Sequence, residues 1–328
     1  MMICSARKAG TGRRRPFRIR IPVLLFIFSL VLLLFANPFL SADDALIWEI
    51  RHPERPGVLF LAGSVHLGRR DMYPLDRVYD EKLEKADYLG FEIASSDLMK
   101  VAVFTMKQGM YPARSEVNLR SLLGEGSFQK LCVLIPSASP GSLARMKPWV
   151  AGSLLEAELA KELGFTAQAG MESVFRAAAA GRPKRSLETE DEQLKTMADP
   201  ALEEEFLADI RKNAASPEKL RESICAVVPA IREGKTEDLL RLLEESRQDM
   251  PGVYRTLILQ RNRKMAQRLF EMLKEEKTGF VLAGAGHCVG PESVPELLRG
   301  LGCTAVRLKF SGRPGVLGPV NVQKAKGK

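Results

Sequence analysis

Histidine is almost missing from this chain: His52, His66 and His287 are the three in 328 residues. The H-E-x-x-H pair of helical zinc peptidases is absent, as are the G-x-S-x-G elbow, the P-loop and the G-x-G-x-x-G dinucleotide turn. "GAGH" at 284–287 follows an apolar run but lacks the third glycine. Cysteine is also sparse. None of the five forms a C-x-x-C pair, which removes zinc-ribbon and dithiol redox chemistry. Cys288 and Cys303 are the nearest in sequence; a disulfide and buried free thiols both remain open.

Acidic residues are missing from the first 42 positions, which hold seven of the 49 basic ones. Behind that basic stretch comes an apolar run over 21–36, shorter than the ~20 residues a spanning helix usually needs, and "LSA" ending at Ala42 offers a small-residue cleavage site. The layout predicts a signal peptide over 1–42, cleaved or kept as an N-terminal membrane anchor. It also predicts an extracytoplasmic protein, periplasmic, secreted or anchored. Without those seven basic residues the formal charge falls from +9 to +2. No basic, aromatic-interleaved patch is left for nucleic acid, and membrane contact is expected only through the N-terminal segment if it stays uncleaved.

What is present is a phrase written twice. "LAGSVH" occupies 61–66 and "LAGAGH" occupies 282–287, so two of the three histidines end the same six-residue pattern. Each pattern closes an apolar run, and each is followed by a helical stretch and a second apolar run, "ADYLGFEI" or "CTAVRLKF". Two strand, GxxH, helix, strand units predict an α/β fold with a mixed β-sheet, each unit contributing a parallel strand pair. The glycine permits a sharp turn and close backbone approach, and the histidine three residues on falls at the carboxyl end of a strand, where open α/β sheets bind ligands.

The residues between the units, about 97–250, read as a large helical insertion or cap. Helical spacing covers 97–108, 143–163 and 173–180, a short strand covers 184–187, and 199–245 reads as two charged amphipathic helices on the sheet. From 311 to 328 periodicity is lost and disorder is expected. In "YRTLILQRNRKMAQRLFEML", Ile258, Asn262, Met265, Leu269 and Met272 share one helix stripe, so Asn262 interrupts an apolar face and needs polar partners.

Candidate chemistry gathers at the strand ends. Glu92 closes an otherwise apolar strand and belongs at the mouth of the sheet or in a buried pair. Glu188 follows the short strand, with a rival role at a helix N-terminus, and Glu172 in "GMES" reads as a first-turn helix acid. His52 lies in a polar turn before a proline and reads as a loop residue. His66, His287 and Glu92 can hold a divalent cation that activates water and polarises a carbonyl. Alternatively one histidine is a general base oriented by Glu92, with Arg261 stabilising an oxyanion.

These motifs, in this order, resemble the TraB/PrgY/GumN family, which includes the Tiki proteases. The matching stretches are "LFLAGSVHLG", "FEIA", "GMES", "RSLETEDEQL", "YRTLILQRNRKMAQRL" and "GAGHCVGPESVPELLRGLGCTAVRL", within 47–308. The resemblance implies one domain over about 43–310, with a fold similar to erythromycin-esterase-like and ChaN-like proteins. For the Tiki branch it implies divalent-metal-dependent cleavage of peptides, with Mn, Co, Zn and Fe all open here. Those roles fall on His66, Glu92 and His287, and Arg261 and Asn262 match the family's Arg-Asn pair. Glu172 stands where many relatives carry aspartate. The expected function is an exported metal-dependent hydrolase of peptide or protein substrates; the alternative is a non-catalytic protein that captures a peptide, a metal or haem in the same pocket.

Overall fold

The computed structural model describes residues 44–95, 97–179 and 181–319; the expected leader and residues 320–328 of the expected tail lie outside them. Six strands make one mixed sheet: β1 (Asp44–His52), β2 (Arg55–Ser64), β3 (Tyr88–Phe91), β4 (Lys184–Ser186), β5 (Thr278–Gly284) and β6 (Thr304–Lys309). Their order across the sheet is β4-β3-β5-β2-β1-β6. β2, β5, β3 and β4 run parallel, and β1 is antiparallel to its neighbours β2 and β6.

The α/β class and the mixed sheet agree with the sequence pattern, but the pairing inside each unit does not. β5, from the second unit, inserts between β2 and β3 of the first, and β6 lies at the far edge beside β1. Burial explains the sorting. Leu59 to Ala62 of β2 and Phe280 to Ala283 of β5 are buried without alternation, as central parallel strands require. β6 alternates exposed Thr304 and Val306 with buried Ala305, which suits an edge. The interleaving puts the two GxxH strands side by side.

α1 (Arg77–Glu84) leads from β2 to β3, and the insertion follows. Before β4 it contains α2 (Leu98–Gln108), α3 (Leu119–Leu123), α4 (Glu125–Leu134), α5 (Pro140–Arg145), α6 (Pro148–Glu162) and α7 (Met171–Ala178). After β4 come α8 (Glu190–Met197), α9 (Glu203–Ala215), α10 (Pro217–Cys225), α11 (Val227–Glu233) and α12 (Glu237–Asp249). The stretch expected as two amphipathic helices is thus divided further. Pro217 takes the first position of α10 and Gly234, with φ of 70°, ends α11; periodicity runs on through both positions, but the backbone cannot. Part of the insertion has its own core, with Leu119, Phe128, Leu131, Leu143, Leu155 and Ile210 buried together, while α11 packs on β1.

A helical turn at Pro251–Val253 and a π-helical stretch, Tyr254–Gln260, lead into α13 (Arg261–Met272). α14 (Ala285–Cys288) and α15 (Val294–Gly300) then carry the chain from β5 to β6. The loss of order expected from residue 311 does not begin there. The Asp76 carboxylate accepts from the Ser311 and Gly312 amides at 3.0 and 3.1 Å, Asp80 accepts from Val316 N at 3.0 Å, and Leu317 is buried.

Phe280 lies at the middle of the sheet, fully buried and stacked on Phe175 with ring centroids 4.9 Å apart. Phe280→Ala is expected to cost about 3–5 kcal/mol in urea unfolding, against less than about 0.5 kcal/mol for Val306→Thr on the exposed edge.

Candidate functional site

β2 and β5 pair in register to their ends, with Gly63 opposite Ala283 and Ser64 opposite Gly284. The two "LAG" phrases are therefore staggered by one residue, and the chain leaves them differently. After Gly284 it winds into α14 and carries His287 into a buried position, 5% exposed. After Ser64 it bends outward, and the His66 side chain is 66% exposed.

Glu92 immediately follows β3, which borders β5 on its other side. Its Oε1 accepts from the Gly284 amide at 2.6 Å. A Cβ on Gly284 would lie 3.1 Å from that oxygen and 3.4 Å from the His287 ring, so glycine here serves close approach; its φ is an ordinary −50°. The β3–β4 ladder continues past the strands: the Leu187 amide donates to Phe91 O at 2.8 Å and the Glu188 amide to Glu92 O at 3.0 Å. Glu188 thereby comes alongside Glu92.

Both carboxylates are buried and share one cation. Arg261 Nη2 donates to Glu92 Oε2 and to Glu188 Oε1, each at 2.5 Å, and its Nε donates to Glu188 Oε2 at 3.2 Å. Gln193 Nε2 adds a donor to Glu188 Oε1 at 3.2 Å. The next residue, Asn262, is 1% exposed and has the partners its place on an apolar face demands. Its Nδ2 donates to the carbonyl of Glu292 at 2.8 Å. A carbonyl can only accept, so the amide's orientation is set and Oδ1 faces His287 Nδ1 at 2.6 Å as the acceptor. His287 therefore carries its hydrogen on Nδ1 and keeps the Nε2 lone pair free, 3.9 Å from Glu92 Oε1.

The charges follow from this packing. Burial pushes the His287 pKa down to about 4, with Arg261 assisting and Glu92 opposing. Burial also works against ionisation of Glu92, but His287, Arg261 and the Gly284 amide outweigh it and bring the carboxyl to about 2. At neutral pH the imidazole is uncharged, so Arg261 and the amide hold Glu92 as a carboxylate. Arg261 stays a cation because Glu92 and Glu188 outweigh its own burial.

The sequence-predicted set thus divides. His287, Glu92, Arg261, Asn262 and Glu188 form one continuous network, while His66 stands at its rim, with Nδ1 3.4 Å from Glu172 Oε1. Glu172 lies in the first turn of α7, as expected, yet it also faces this histidine. The start of α7 is docked on the His66 loop: the Met171 amide donates to Val65 O at 3.0 Å, and a Cβ on Gly170 would meet His66 O at 2.0 Å. Burial raises the Glu172 pKa, against the pull of His66 and Arg176.

Two features carried no sequence signal. The π-helical stretch before Arg261 breaks the single α-helical stripe, so Asn262, Met265 and Leu269 are buried and Ile258 only partly. Ser64 is 2% exposed, and its Oγ has no hydrogen-bond partner among the described residues. His52 lies apart, edge-on to Phe270 at 5.3 Å. Cys132, Cys225, Cys288 and Cys303 are free thiols.

The profile of the TraB/PrgY/gumN family matches residues 46–307. The chain belongs to that family. It is similar to an uncharacterized protein of Treponema pallidum (strain Nichols), 21% identical over 273 residues that cover 79% of this chain and 82% of the relative. No solved structure matches it. The TraB/PrgY/gumN match includes both GxxH segments, Glu92, Glu188, Arg261 and Asn262.

Arg261→Met leaves two buried carboxylates without their cation and is expected to cost about 3–5 kcal/mol in urea unfolding near pH 7. His287 gives a pH signature. Its folded pKa of about 4 lies below the ordinary 6.5, so as pH falls the unfolded chain takes up this proton first. The stability it contributes is present above about pH 6.5 and lost between that value and about 4. Between roughly pH 7 and pH 4.5 the wild type is expected to lose about 2 kcal/mol more than His287→Gln in matched urea titrations.

Proposed function

We propose that this TraB/PrgY/gumN protein is an exported, divalent-metal-dependent hydrolase of peptides, working at the mouth of the sheet around His287, Glu92 and His66. The state of His287 carries the reading. It is buried, uncharged at neutral pH, fixed through Nδ1 on Asn262, and free at Nε2. That is the form in which an imidazole binds a metal, with its second nitrogen hydrogen-bonded behind it. A pKa near 4 suits a ligand better than a general base for neutral solution.

The local charge fits a cation as well. Glu92 and Glu188 against Arg261 leave one uncompensated negative charge beside the free imidazole nitrogen. Two donors, His287 Nε2 and Glu92 Oε1, stand 3.9 Å apart. Among the described residues no three His, Cys, Asp or Glu side chains already surround one point. His66 is the third donor in this reading: it is exposed at the rim, with Nδ1 3.4 Å from Glu172 Oε1. When bound, the metal supplies a water of lowered pKa and polarises the carbonyl under attack. Arg261 keeps Glu92 ionised, Asn262 keeps the His287 ring oriented, and Glu188 holds Arg261 in place. Mn, Co, Zn and Fe are all compatible with this donor set. Export rests on the basic, then apolar, N-terminal segment.

The test is metal analysis of the purified protein, then incubation with a peptide library with and without chelator. Cleavage is expected, abolished by chelator and restored by one of the four metals. His287→Ala and Glu92→Gln are expected to lower kcat/KM by about 10²–10⁴. Tight binding of peptide, metal or haem with no product under any of the four metals would replace this reading with the non-catalytic one. Unchanged activity in both His66→Ala and His287→Ala would discard the site.

A further inference from the structure

Ser64 presents the one buried side-chain hydroxyl at the carboxyl ends of the strands that has no partner among the described residues. An unpaired buried hydroxyl destabilises a fold. Its direction follows from the register. Residues level with each other on neighbouring parallel strands present their side chains on the same face, and Ser64 is level with Gly284. A Cβ on Gly284 would point at Glu92 Oε1 and the His287 ring. Gly63, on the opposite face, would meet Leu46 instead. Ser64 thus stands on the His287 and Glu92 face, on the strand beside Gly284.

Most of the donors around it are already engaged. The Gly284 amide gives its hydrogen to Glu92, His287 Nδ1 to Asn262, Asn262 Nδ2 to Glu292 O, and Arg261 Nε and Nη2 to the two carboxylates. The two acceptor atoms of the site, Glu92 Oε1 and His287 Nε2, have lone pairs and no hydrogen. A carbonyl oxygen has only lone pairs too, so neither of these atoms can donate to it. The Ser64 Oγ–H can.

We infer that Ser64 is a catalytic residue that donates a hydrogen bond to the oxygen of the scissile carbonyl and to the oxyanion that grows on it. This role rests on the hydrolytic reading above. Water adds to the carbonyl carbon and the C–N bond breaks; the two protons of the water finish on the leaving amine, an ammonium, and the new acid is a carboxylate. Ser64 keeps its own proton throughout, as a donor and not a nucleophile.

Stability and turnover should move in opposite directions. With a peptide that the wild type cleaves, Ser64→Ala is expected to lower kcat by about 10²-fold, with KM within about threefold, while Tm stays level or rises because an unpaired buried hydroxyl has been removed. Ser64→Thr restores the hydroxyl on a residue suited to a strand and is expected to keep kcat within about tenfold of wild type. A hydroxyl with a merely structural role would lower Tm when removed and leave kcat alone, and that result overturns the assignment. Wild-type kcat in Ser64→Ala overturns it while leaving the hydrolase reading intact. Absence of cleavage by the wild type under every metal sinks both.

Discussion

One guanidinium held between two buried carboxylates is the constraint on which this site depends. Arg261 bonds Glu92 and Glu188 at once, from positions 169 and 73 residues away along the chain. Removing three charges from water is expensive, and the arrangement is tolerable because each charge meets its opposite with short, directed hydrogen bonds. Two further features of the site are tied to this junction. The anchored Glu92 receives the Gly284 amide, which fixes where β5 ends and where α14 begins. The residue beside Arg261 then faces His287, so the same helix that neutralises the carboxylates also selects the imidazole tautomer.

The two histidines of the repeated phrase show how similar spelling leads to different chemistry. His287 sits among groups that exclude water and keep it neutral, whereas His66 stays in solvent against the first turn of α7. The difference traces to a single step of stagger between β2 and β5. Gly63 lies level with Ala283 instead of Gly284, so one more strand residue, Ser64, extends before the chain turns.

Much of the site could be read from residue type and position. Glu92 stood out as an acid closing an apolar strand, and Asn262 as an amide on an apolar helix face, because burying either group demands a partner wherever the chain goes. The pairing of strands was not legible. Periodicity reports which residues are buried but not against what, so "VLFLAG" and "GFVLAG" were recognisable as strands while their adjacency was hidden. The π-helical turn before Arg261 escaped for a related reason: a one-residue change of helical pitch leaves no mark in composition. Glu172 was legible as a helix-start acid, but its place beside His66 depends on how α7 docks onto the loop, where Gly170 comes close to the His66 carbonyl. Ser64 has no local signature, since a serine at a strand end is ordinary until its hydroxyl is found without a partner.

The position of β5 has a consequence for the chain's own synthesis. It is the fifth strand to be made and lies third across the sheet, between two strands completed some two hundred residues earlier. Until the ribosome has passed residue 284, β2 and β3 have no strand to join them, and Glu92 lacks the amide that secures it. A chain that ends before β5 cannot assemble the network of Glu92, Arg261 and His287. Synthesis past Glu292 is thus a precondition for the site to form, and its groups stay apart until the chain has grown that far.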